Sequence, residues 1–175
     1  MGLVQVNTAT ISSGTASSLT IDGIDSDDVY VVVGSGLHIA VDTAYLYVRV
    51  TKDVSGTTTA QSSAEYDFAC REFNAGGSFG SLNYQDRTNM YFANSPLGNG
   101  TAENSNIYYT LYNFNNSSEY SYMTVTENCF NSTDSTSHGA QGGFVYTVKE
   151  AHNGISIIGD ATTLNGGTLT LYKVV

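Results

Sequence analysis

Residues 44–52 read AYLYVRVTK (Ala44–Lys52), and their alternation decides the fold. Successive side chains of an extended chain point to opposite faces. Leu46, Val48 and Val50 therefore share one face, while Tyr45, Tyr47, Arg49 and Thr51 share the other. That is the pattern of a half-buried strand, here with an unusually aromatic outer side. The same period recurs outward along the chain. In NIYYTLYNF (Asn106–Phe114), Ile107, Tyr109 and Leu111 oppose Tyr108, Tyr112 and Phe114. In Tyr120–Thr126, Met123 and Val125 oppose Tyr120 and Tyr122. Phe144–Lys149, Gly154–Ile158 and Thr168–Val174 continue the series, and Val4–Ile11, Ser18–Ile21 and Val29–Val33 begin it. No long window carries apolar residues at the i, i+3, i+4, i+7 spacing of an amphipathic helix. Roughly nine or ten strands separated by Gly- and Asn-rich breaks predict an all-β chain: one antiparallel β-sandwich domain, jelly-roll-like, over residues 1–175.

The breaks are expected to be of two kinds. Asn153-Gly154 reads as a hairpin turn, and Asn165-Gly166-Gly167 leads into the last strand. Thr51–Ser63, Arg71–Ser105 and Asn128–Gly143 read as long Gly/Asn-rich or polar loops, and loops of that length in a compact domain carry function or conceal further strands. The stretch IDGIDSDDVYVVV (21–33) places Asp22, Asp25, Asp27 and Asp28 just before a run of strand formers. Calcium loops of the EF-hand type need carboxylates at fixed alternate positions, followed by a distant bidentate Glu. This stretch has neither, and Ile24 intrudes, so it reads as an acidic surface turn joining two strands, with no metal site.

Composition excludes several functions. The 175 residues are 41 % hydrophobic, enough to build a core, but only 13 % charged, so Ser, Thr, Asn and Gly must share in keeping the surface wet. Sixteen acidic and six basic residues leave a formal charge of −10. The cations (Arg49, Lys52, Arg71, Arg87, Lys149, Lys173) are scattered, which argues against nucleic-acid and anionic-membrane partners, both of which demand clustered Lys and Arg. Residues 1–20 show no apolar core of a secretory signal, and the longest apolar runs are far too short to span a bilayer, so synthesis in a cytoplasm is expected. Cys70 and Cys129 lack zinc spacing and read as two buried, reduced thiols.

Catalytic signatures are absent. There is no GxSxG, GxxxxGK[ST] or HExxH, and Gly77-Ser78-Phe79-Gly80 only superficially resembles a nucleophile elbow. Glu65, Asp67 and Glu72 are too ordinary a group of carboxylates to mark a glycosidase. None of His38, His138 and His152 neighbours a second metal-type ligand, and His152, beside the expected turn, reads as exposed. The chain is therefore expected to be non-enzymatic and to need no cofactor.

The informative surplus is aromatic: thirteen Tyr and no Trp. Tyrosines on strand faces opposite aliphatic ones are open to three readings: burial within a sandwich, contact between subunits, or stacking of sugars on exposed rings. Tyr45, Tyr47, Phe79, Tyr84, Tyr91, Tyr108 and Tyr112 are the candidate partner-contact residues.

The N-terminal segments VQVNTATIS, LTIDGIDSDDVYVVV and AYLYVRVTK resemble short virion proteins of tailed phages, especially those infecting marine cyanobacteria. There, an opening strand precedes an acidic turn into a second strand and then a strand near LxxRVT. The closing GISIIGDATTLNGGTLTLYKVV is similar to the C-terminal pattern of the same proteins, although such chains often end soon after Leu-Tyr-Gly and this one continues through Lys173-Val174-Val175. The middle of the chain matches by composition alone. The resemblance implies a jelly-roll domain on the virion exterior with no active site. Its expected role is a capsid decoration or cement protein, a homo-oligomer and most simply a trimer, that bridges subunits of the major capsid protein. The alternative is a tail-fibre or knob domain binding a host-surface glycan, to which Phe79, Tyr84, Tyr91 and Tyr122 would contribute rings.

Overall fold

Alternating segments can bury one face only by pairing into sheets and stacking them, and this dictates the architecture. The computed structural model of the protein describes residues 2–91 and 95–175. In chain order the strands are β1 (Leu3–Ile11), β2 (Ser18–Asp22), β3 (Tyr30–Ile39), β4 (Leu46–Val54), β5 (Thr57–Ala60), β6 (Tyr66–Asn74), β7 (Phe79–Arg87), β8 (Met90–Tyr91), β9 (Ser105–Tyr112), β10 (Ser121–Asn131), β11 (Thr136–Tyr146), β12 (Gly154–Gly159) and β13 (Leu164–Val174). The large sheet has eight strands in the order β1-β13-β3-β9-β10-β11-β6-β7. The small sheet runs β2-β12-β4-β5, with β8 also on β4. Every pairing is antiparallel. The chain changes sheet after β1, β2, β3, β5, β7, β8, β11 and β12. The first and last strands lie side by side, as expected of a jelly-roll-like sandwich. Among the described residues no helix is long and apolar enough to cross a membrane.

The core is the space between the sheets. Leu46, Val48 and Val50 of β4 are at most 1 % exposed, as their alternation predicts. They meet Tyr30, Val32, Tyr109, Leu111, Leu169 and Leu171 from the large sheet, all fully buried. Each such aliphatic or aromatic side chain contributes about 1.5–3 kcal/mol of transfer free energy.

Four expectations need correction. The described residues hold thirteen strands, because the three long "loops" are largely strand. Thr51–Ser63 contains the β4–β5 hairpin, Arg71–Ser105 contains the end of β6 with β7 and β8, and Asn128–Gly143 contains the β10–β11 hairpin. Residues 92–94 of the second lie outside the described residues. The alternation is masked because inward positions on β10 and β11 are held by Glu127, His138 and Gly142 rather than by aliphatics. Asn153-Gly154 is not a hairpin turn: β11 belongs to the large sheet and β12 to the small one, so the chain crosses between them there. Gly154 is required by close approach, since a Cβ would lie 2.0 Å from the Ile21 carbonyl oxygen. Phe114 does not share a face with Tyr108 and Tyr112. Asn113 turns the chain at φ 58°, a conformation Asn tolerates, and sends Phe114 into the core. Finally, His152 is 1 % exposed rather than on the surface.

Candidate functional site

The outer face of the large sheet forms a grid that strand register makes explicit. One row reads Gln5, Tyr172, Val31, Thr110, Thr124, Gly143, Ala69, Asn83 from edge to edge. The next, displaced by two residues, reads Thr8, Thr170, Val33, Tyr108, Thr126, Gln141, Arg71, Ser81. On the other side Tyr112, Tyr122, Val145 and Asp67 align. Arg71 and Asp67 are the charged members of these rows. A chain with a formal charge of −10 has thus placed its charge elsewhere and left this face neutral, hydroxylic and aromatic.

On β10, β11, β6 and β7 that face is concave. A trough of about 700 Å³ lies there. Alternate lining residues are Tyr122 and Thr124, Gly143 and Val145, Asp67 and Ala69, and Asn83 and Gln85. The depth has a simple cause: Gly143 and Ala69 face each other at the centre and offer almost no side chain. At the β7 wall a bulge opposes one β6 residue with two β7 residues, and Asp86, at φ 53°, donates its N–H to Asp67 Oδ1 at 2.9 Å.

The structure divides the sequence candidates. Tyr108 (48 % exposed) and Tyr112 stand on the outer face, and Phe79, 79 % exposed, caps one corner beside Phe73. Tyr122, which β-alternation placed outward, stands at the trough. Tyr47, Tyr84 and Tyr91 instead form a packing cluster. Tyr47 meets Tyr91 edge-on at 5.1 Å, Tyr91 lies 5.3 Å from Tyr84, and Phe68 is 5.0 Å from Tyr84. Tyr47 also donates to Asp160 at 2.8 Å, and burial together with that carboxylate pushes its pKa up. Tyr45 is half-buried just before β4. Asn83, Gln85 and Thr124 escape a reading of the sequence because single polar residues in a Gly/Asn-rich stretch carry no signal until register aligns them.

The aspartates of 21–33 do form the turn between β2 and β3, and each is bound to something different. Asp22 accepts from Thr58 Oγ1 at 2.7 Å, and Asp27 from Asn116 Nδ2 at 2.9 Å. Asp25 accepts from the Tyr30 hydroxyl at 2.9 Å, and this bond leads in lowering its pKa. Asp28 pairs with Lys173 at 2.6 Å, which lowers its pKa in turn. The residues after Leu171-Tyr172 therefore fasten the chain end in place. Lys173 ties β13 to the acidic turn, and Val175 exchanges backbone bonds with Gly2.

Two Ser–His–carboxylate chains lie elsewhere. Ser121 Oγ is 2.7 Å from His152 Nδ1, and His152 Nε2 is 3.3 Å from Glu150, which Lys52 pairs at 2.5 Å. Burial holds the His152 pKa down at about 4, so the ring is neutral at pH 7: Nε2–H donates to Glu150 and Nδ1 accepts from Ser121. The second chain is Ser95 Oγ to His138 Nδ1 at 2.8 Å and His138 Nε2 to Asp134 Oδ2 at 2.8 Å. It borders a cavity of about 260 Å³ with Glu72, Phe73 and Phe79. Burial raises the Glu72 pKa, while His138 lowers that of Asp134. Beneath it, buried Glu127 accepts from the Tyr109 hydroxyl. Cys129 and Cys70 are both free and buried, their thiol pKa values pushed up to about 12 chiefly by desolvation. Cys70 lines up with Gly142 and Val125, four residues along β10 from Cys129, beyond disulfide reach. Among the described residues no group of His, Cys, Asp or Glu converges as a metal site.

Comparison with family models, curated proteins and solved structures gives no match.

Proposed function

We propose that the chain is a non-enzymatic structural protein of a phage virion: a capsid decoration protein that stabilises the head by bridging neighbouring capsid subunits. The observation that carries this reading is the neutral outer face of the large sheet in a strongly acidic chain. Depletion of charge and enrichment of Tyr characterise surfaces that are covered by partners. Strand β1 adds a route of attachment. It is one of the two edges of that sheet, has neither Lys nor Pro, and exposes Leu3, Val4 and Val6 at 52, 53 and 41 %. Such an edge invites pairing with another chain, a second copy included. The resemblance of both chain ends to virion proteins supplies the setting, with assembly from the host cytoplasm onto the capsid exterior as an oligomer, most simply a trimer.

The test is removal. Particles assembled without this chain should release DNA at a lower temperature than complete ones, and complete particles should carry it in high copy number. Unchanged heat resistance together with only a few copies per particle would overturn the decoration role and favour the tail-fibre or knob reading.

A further inference from the structure

The shape and chemistry of the trough define the ligand it would accept. Its floor is the Gly143–Ala69 pair, and its span across four strands is roughly 15 Å at the ordinary inter-strand spacing. The volume of about 700 Å³ sits well inside the roughly 300–1,000 Å³ typical of ligand sites. That is room for an oligosaccharide rather than one ring.

The lining is mixed, with more apolar than polar surface, and its amide and hydroxyl side chains are uncommitted. The side chains of Asn83, Gln85 and Thr124 make no hydrogen bond to other described residues, and of the Asp67 carboxylate only Oδ1 is used, by Asp86 N–H. Amides donate and accept, Thr does both, and Asp accepts. Tyr122, 44 % exposed, provides a rigid aromatic face at one end. No Lys or Arg lines the trough, so nothing compensates an anionic ligand, and one carboxylate is too little for a metal or polycation. An apolar ligand would cover the amides and leave them unpaired. A ligand with hydroxyls around its rim, apolar C–H patches on its faces and no charge satisfies all of these conditions.

We propose that this trough binds a neutral oligosaccharide, with Tyr122 as the stacking face and Asp67, Asn83, Gln85 and Thr124 as partners for its hydroxyls. The trough takes only the β10-β11-β6-β7 half of the outer face, so a capsid partner would cover the β1-β13-β3-β9 half, and the site can fail without the decoration role failing, and the reverse.

The test is titration of the full chain, followed by NMR or calorimetry, with maltotriose, cellotriose, chitotriose, mannotriose, lactose and sialyllactose. At least one neutral sugar should bind saturably. Gly143→Val should abolish that binding while the protein stays folded, because a Cβ there meets nothing nearer than the Met123 carbonyl at 3.6 Å and the added methyls enter the trough. Tyr122→Ala should weaken it about tenfold or more, a loss of roughly 1.4 kcal/mol. Tyr108→Ala, on the same face but outside the trough, should leave it unchanged. No binding by any neutral member of the panel up to about 10 mM, well above a millimolar Kd, would overturn the proposal. So would binding that survives Gly143→Val in a folded protein, or sialyllactose binding more tightly than lactose.

Discussion

The two Ser–His–carboxylate chains contain the same three groups, joined through the same nitrogens, in opposite surroundings. In Ser121–His152–Glu150 the imidazole is sealed. Its side chain has no exposure, Tyr146 lies edge-on at 5.0 Å and Phe114 at 6.0 Å. In Ser95–His138–Asp134 the imidazole is 15 % exposed and the carboxylate 43 %, beside a small cavity. A hydrogen-bonded triad does chemistry only if its nucleophile can reach a substrate and its acyl oxyanion finds donors. With its imidazole and hydroxyl sealed from solvent, the first chain pins the β11–β12 crossing to β10. The second is wet at its carboxylate end, yet Ser95 is itself only 2 % exposed and lies against the Cys129 thiol. Composition alone therefore says nothing of catalysis, and access decides it.

Truncation should separate the two most strongly. His152→Ala empties an aromatic-lined site and strands the Ser121 hydroxyl. It should cost about 3 kcal/mol or more of unfolding free energy by urea denaturation. His138→Ala also strands a hydroxyl, that of Ser95, but it leaves Asp134 hydrated and opens onto a small cavity, so it should cost less, about 1–2 kcal/mol. Equal losses would erase the contrast.

The pH dependence sharpens it. His152 titrates at about 4 in the folded chain against an ordinary value of 6.5. Between those values the unfolded chain holds the proton and the folded chain does not. Stability from this group is complete above about pH 6.5 and falls as the pH drops toward 4, by an amount of order 3 kcal/mol. Glu72, its pKa raised by burial, works in the opposite direction on acidification, so the informative quantity is the difference from His152→Gln. The Gln amide can accept from Ser121 and donate to Glu150 without titrating. Its unfolding free energy should slope less between pH 6.5 and 4 than that of the wild type, and parallel curves would mean that His152 is charged in the folded state.

Neither chain is legible in the sequence, and the reason is physical. Ser95 and His138 are 43 residues apart, Ser121 and His152 are 31 apart, and only the β10–β11 register and the crossing to β12 unite them. The fold class, by contrast, can be read from the middle of β4, β9 and β10, where Leu46, Val48 and Val50, then Ile107, Tyr109 and Leu111, then Met123 and Val125 alternate with outward residues. Legibility fails where polar or small residues face inward, at Glu127, His138 and Gly142, so the β10–β11 hairpin looks like a polar loop. The trough is hidden for a related reason: its depth comes from Gly143 and Ala69, whose effect exists only once register sets them side by side. Tyr108 and Tyr112 are recognisable as outer-face rings from alternation, whereas Phe79 sits in a stretch that reads as a loop, and Tyr47, Tyr84 and Tyr91 are not recognisable as a cluster, because β8 has no sequence signature.

The smallest expected effect bears on the non-enzymatic reading itself. A fluorophosphonate, which phosphonylates activated serines, should leave the intact mass of the protein unchanged, because Ser95 has 2 % exposure and Ser121 likewise 2 %. Ser95→Ala should then alter nothing but stability, by about 1 kcal/mol from one lost hydrogen bond. An adduct on Ser95 that disappears in Asp134→Asn would reverse this. Asp134 accepts a hydrogen bond from Nε2–H and so fixes the tautomer that leaves Nδ1 free to take the hydroxyl proton. Loss of labelling on its neutralisation would show a working relay, and the cavity beside Phe73 and Phe79 would then be an active site.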